Sequence, residues 1–71
     1  MTVELSNEEK SAIVIQHIKT IAYSEYNAML TLAEEQATSF PSEATILSLT
    51  NQLADIVAQK QILQQELDSL S

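Results

Sequence analysis

Between Ile46 and Leu70 the residues Ile46, Leu49, Leu53, Ile56, Lys60, Leu63, Leu67 and Leu70 recur at alternating intervals of three and four, and all but Lys60 are isoleucine or leucine. These are the a and d positions of a heptad. A helix with such a row presents one narrow apolar stripe that is stable only beneath another helix. The row commits this part of the chain to helix association, so its chemistry is that of a contact surface rather than a reaction centre.

The chain itself supplies a candidate for the covering helix. Ser6-Asn7-Glu8-Glu9 reads as a capping box, with the Ser6 hydroxyl and the Glu9 carboxylate each accepting from the other's backbone N–H, so a helix is expected to begin at about Asn7. Ahead of it, Thr2, Val3, Glu4 and Leu5 form either a short extended arm or a frayed end. Nothing breaks the helix before about Thr38. Its apolar residues Val14, Ile15, Ile18, Ile21, Ala22, Tyr26, Met29, Leu32, Ala33 and Ala37 gather on one broad arc, with Gln16, Thr20, Ser24, Asn27, Thr31 and Glu34 on the other side.

Pro41 pushes Phe40 out of helical geometry and itself suits a helix's first turn, which places the single break of the chain at 39–42. The predicted architecture is all-α: one domain over 1–71, with a first helix at about 7–38 and a second at about 42–70. Helices of nearly equal length, joined by a short turn, imply an antiparallel, coiled-coil-like hairpin. Charge agrees. Glu34 and Glu35 are unfavourable at the negative end of the first helix unless the hairpin brings the positive end of the second beside them, and Glu66 and Asp68 gain similar relief at the other end. The first arc is wider than one helix can cover, so two hairpins are expected to pair into a four-helix bundle. A chain of 71 residues points the same way, because a domain this small buries only about 60–65% of its unfolded surface.

Composition removes whole classes of function. Ten acidic residues face three lysines and no arginine, for a net charge of −7, which disfavours nucleic acid and anionic membrane surfaces as partners. The carboxylates are scattered rather than spaced like phosphates, which fits a solvated charge better than DNA mimicry. Glycine is absent. Phosphate-cradling loops, nucleophile elbows and Rossmann turns need its backbone freedom, so none is expected here. Cysteine is absent as well, which removes disulfides, thiolate zinc sites and cysteine nucleophiles and fits a reducing compartment. No apolar run approaches the ~20 residues of a membrane span. Met1 to Leu5 has neither the basic start nor the apolar core of a signal peptide, and a soluble cytoplasmic protein is expected.

Candidate sites follow from the same patterning. His17 has no carboxylate three or four residues away, and the adjacent pairs Glu8/Glu9 and Glu34/Glu35 project about 100° apart on a helix, so neither a metal centre nor an acid–base dyad is expected. No cofactor, no small-molecule substrate and no enzymatic activity follow. The expected partner and self-association surface is Ile15, Ile18, Ala22, Tyr26, Met29, Ile46, Leu49, Leu53, Ile56, Lys60, Leu63 and Leu67. Tyr26 is read as core. Ile13, Tyr23 and Leu30 are candidates for an exposed contact patch, with simple boundary packing as the alternative. Phe40 is expected to plug the open end of the hairpin rather than stand out at its tip. Lys60 either specifies pairing or snorkels to solvent; level with Thr20, it has Glu25 within reach, and Lys60→Leu is expected to raise the melting temperature.

The segments Gln16-His17-Ile18, Tyr23-Ser24-Glu25-Tyr26-Asn27, Leu49-Thr50-Asn51-Gln52-Leu53 and Leu63-Gln64-Gln65-Glu66-Leu67, divided by a proline turn, resemble small open reading frames of tailed phages that infect marine cyanobacteria. The resemblance covers most of the chain and implies a viral origin, with host cytoplasm as the location. It carries over no residue roles, because that group has no motif of assigned role. The function expected is that of a non-enzymatic interaction module, a self-associating hairpin that binds and modulates another protein, with a homodimer as its state. The alternative is a small structural or assembly component of a virion or other complex.

Overall fold

A computed structural model describes residues 3–71 and contains two helices, α1 (Asn7–Gln36) and α2 (Glu43–Leu70), packed as an antiparallel hairpin. Thr2 of the predicted arm lies outside the described residues, and Val3 to Leu5 has no regular structure. The long dimension is 60 Å and the others 23 and 15 Å. One helix pair lying side by side accounts for those proportions.

The capping box forms as the sequence requires. Ser6 N–H donates to Glu9 Oε1 at 3.0 Å, and Glu9 N–H donates to Ser6 Oγ at 3.1 Å. Donation from the Ser6 backbone N–H, and after it from the Ser6 side chain, favours the charged carboxylate and holds the Glu9 carboxyl below its ordinary pKa. At the far end α1 stops at Gln36, two residues before the predicted Thr38. There the Thr38 hydroxyl donates to the Glu35 carbonyl at 2.8 Å, and the Ala37 N–H is shared between the carbonyls of Ala33 and Glu34.

Ser42 caps α2, its hydroxyl accepting from Thr45 N–H at 3.3 Å. Across the turn, Glu35 Oε1 accepts from Ser42 N–H at 2.7 Å. The acidic end of α1 is thereby relieved by the amide end of α2, as the hairpin argument demanded. At the open end Glu66 borders the same groove as Lys10 in the first turns of α1, while Asp68 accepts from Gln64 Nε2 at 3.1 Å within its own helix.

All described residues that are not exposed fall into two rows. On α1 they are Ser11, Val14, Ile18, Ile21, Glu25, Ala28, Leu32 and Glu35; on α2 they are the eight heptad positions from Ile46 to Leu70. Both rows alternate threes and fours, and each α1 member has an α2 counterpart whose number adds with its own to 81. The two rows therefore meet along one seam of the antiparallel hairpin. Its core is one layer thick, with Val14, Ala28 and Leu49 as the buried residues among those described.

Two expectations are corrected. Tyr26 is 62% exposed, because it stands one position beyond Glu25, outside the row that meets α2. Phe40 is 94% exposed, so it is displayed at the tip and plugs nothing. The Glu35–Ser42 bond closes the turn without it.

Candidate protein interface

The polar member of α2's row finds its partner within the hairpin. Lys60 Nζ lies 2.9 Å from Glu25 Oε1, with side chains 39% and 23% exposed. Both occupy seam positions on facing helices, one layer apart: Lys60 is level with Ile21 and Glu25 with Ile56. The lysine does not simply snorkel outward; its ammonium stays at the seam's edge on a specific carboxylate. A pair this open to water contributes about 0–1 kcal/mol. Its consequence is directional, since a shift of one heptad would set both charges against leucine or isoleucine.

Covering α2's row uses up much of the expected partner surface. Ile46, Leu49, Leu53, Ile56, Lys60, Leu63 and Leu67 face the chain's own α1, and Ile18 faces α2 in turn. The other expected members, Ile15, Ala22, Tyr26 and Met29, are all exposed. They belong to a second row on α1, shifted by one residue from the first: Ala12, Ile15, Lys19, Ala22, Tyr26, Met29 and Ala33. This row keeps the three–four spacing of a helix-packing stripe and has no helix on it.

The second row defines one side of the hairpin. A groove bounded by Ile18, Val57, Lys60, Gln61 and Gln64 shows that α2 turns Val57 and Gln61 toward one side, and the groove of Lys10, Ile13, Val14, Glu66 and Leu70 shows that Ile13 and Glu66 share the other. Helical spacing then places Leu47, Ala54 and Val57 beside the second row of α1. Leu47 is 62% and Val57 47% exposed. A shallow groove on this α1 surface is lined by Lys19, Ala22, Tyr23 and Tyr26.

The opposite side differs in kind. It carries Thr20, Ser24, Asn27, Thr31 and Glu34 from α1, with Ser48, Gln52, Asp55, Gln59, Glu66 and the exposed Ile62 from α2. Thr20, Ser24 and Thr31 donate their hydroxyls back to carbonyls four residues earlier, which satisfies them without any partner. Ile13 lies on this polar side, whereas Tyr23 and Leu30 lie a heptad apart on the ridge that points away from α2. The structure does not bring those three together as one patch.

Among the described residues no group of histidine, cysteine and carboxylate side chains is placed to hold a metal ion, and no helix is long and apolar enough to cross a membrane. His17 is exposed. The second row escaped the sequence reading because its members and those of the covered row had merged into one broad arc; the signal that separates them is the repetition of the three–four interval one residue later. No family model, curated protein or solved structure matches the chain.

Proposed function

We propose that the chain is a non-catalytic protein-binding module whose hairpins self-associate through the side carrying the second row, two copies forming a four-helix bundle. The observation that supports this is the contrast between the two broad sides of one hairpin, one mostly polar with Ile13 and Ile62 as its large apolar residues, the other bearing Ile15, Tyr26, Met29, Leu47 and Val57 in water. Large side chains left exposed at helix-packing intervals mark a contact surface. Each buried aliphatic or aromatic side chain of that size stabilises an association by about 1.5–3 kcal/mol before entropic losses.

In such a bundle the polar sides and the Phe40 tips face outward and remain open to a second protein, which is where regulation of a target would act. Cytoplasm, and host cytoplasm for a phage product, is the location proposed. Light scattering on the eluting protein tests the reading: a mass near twice 7.9 kDa at micromolar concentration supports it. A monomer throughout that range would contradict it.

A further inference from the structure

Resting on the reading of the module as self-associating, we infer how the second copy lies: its turn is at the opposite end, α1 packs antiparallel on α1, and Ala22 of each copy receives Tyr26 of the other. Area sets the need for an occupant. The chain exposes 5654 Å², whereas a compact monomer of its 7.9 kDa mass exposes about 4,400 Å². The excess of about 1,200 Å² is at least the ~800 Å² per partner of a standard protein–protein interface.

Size complementarity selects the occupant and its direction. When the second row is laid antiparallel on itself so that facing numbers add to 48, Ala22 meets Tyr26, Ile15 meets Ala33, and Lys19 meets Met29. Large residues face small ones twice on each side of the twofold axis, the alternation that lets facing layers interdigitate. Lys19 lays its methylene stem along an unbranched, flexible methionine, leaving its ammonium free to reach water. The row is therefore complementary to its own reverse.

The competing arrangement puts both turns at one end and lays α1 over α2 of the other copy. There the open-end half of the second row would meet Gln61, Gln64 and Asp68, the polar half of α2's corresponding stripe. Ile15 would gain no apolar neighbour. Only the arrangement with turns at opposite ends brings the apolar length of α1 against an equally apolar length.

The chain lacks cysteine, so Ser39→Cys provides a single spin-label site at the tip. With the twofold axis near residue 24, the two labels of a dimer lie 15 positions either side of it, about 45 Å apart at 1.5 Å per residue. A distance near that value supports the arrangement. Labels within about 25 Å would overturn the arrangement while leaving self-association intact, and the absence of any intermolecular distance in a light-scattering monomer would overturn both. A second measurement reads the packing. Ala22→Tyr alone sets Tyr against Tyr and weakens the dimer by about tenfold or more, whereas Ala22→Tyr with Tyr26→Ala restores the large-to-small layer and recovers most of the affinity. A double variant no tighter than the single one would contradict the Ala22–Tyr26 layer.

Discussion

α1 carries two rows of identical spacing one residue apart, and the covered one has the more polar members, although it also holds the larger aliphatics Val14, Ile18, Ile21 and Leu32. Ser11, Glu25 and Glu35 stand in the row that meets α2, while the uncovered row holds Ala12, Ile15, Ala22, Tyr26, Met29 and Ala33 with Lys19 as its charged member. The number of apolar members alone did not decide which stripe was covered. Partners did: Glu25 has Lys60 at 2.9 Å and Glu35 has the Ser42 amide at 2.7 Å. A carboxylate is tolerated in a seam when the facing element supplies a donor, and the second stripe of α1 stays uncovered within the hairpin.

Substitutions in the two rows should therefore separate into two kinds of effect. The largest is expected in the covered row. Leu49 is 8% exposed, and Leu49→Ala should cost about 2–4 kcal/mol in chemical denaturation at any protein concentration. Met29→Lys, in the second row, should leave helicity by circular dichroism unchanged in concentrated samples but weaken the dimer by about a hundredfold in sedimentation equilibrium. Equal loss of folding and association in both variants would erase the distinction between the rows.

A smaller effect belongs to the ion pair and revises the expectation drawn from Lys60 alone. Lys60→Leu by itself strands the Glu25 carboxylate, 23% exposed, beside leucine, and should lower the melting temperature rather than raise it. Glu25→Leu with Lys60→Leu should stabilise by about 1–2 kcal/mol, since an apolar pair commonly outperforms a partly desolvated charged one. Mixed or larger species of the double variant in ultracentrifugation would show that the pair also holds the register. A single species identical to the parent would limit its role to solvation of the seam's edge.

The smallest effect is at the start of α1. Glu9 has a carboxyl pKa lowered by its bonds with Ser6, so the folded group is the stronger acid, and its contribution is present at neutral pH and lost as pH falls through the carboxylate range. Amide exchange in the first turn of α1 should accelerate on acidification, and Glu9→Ala should remove most of that dependence while leaving α2 unchanged.

The hairpin was legible because its signals were redundant. Seven aliphatic residues marked α2's row, Pro41 marked the break, and Ser6 with Glu9 marked the start of α1. The covered row of α1 was not legible, since three of its eight members are polar and their solvation depends on groups 7 and 35 positions away in sequence. Tyr26 looked like core for the same reason, as the arc's centre lay between the rows rather than on the one that meets α2. The row of α2, reflected about the turn, places Lys60 level with Ile21 and one turn from Glu25, the nearest carboxylate of the facing row.

The central claim is that one hairpin holds only part of the core and a second copy supplies the rest. Thermal unfolding followed by circular dichroism, from about 2 to about 200 μM chain, tests it most directly, because a fold linked to association must melt higher as concentration rises. The account requires the Tm to climb by several degrees over that range, and Met29→Lys to flatten the dependence. A single sharp transition at one temperature, independent of concentration, would show that the lone hairpin is the complete folded unit and would contradict the account.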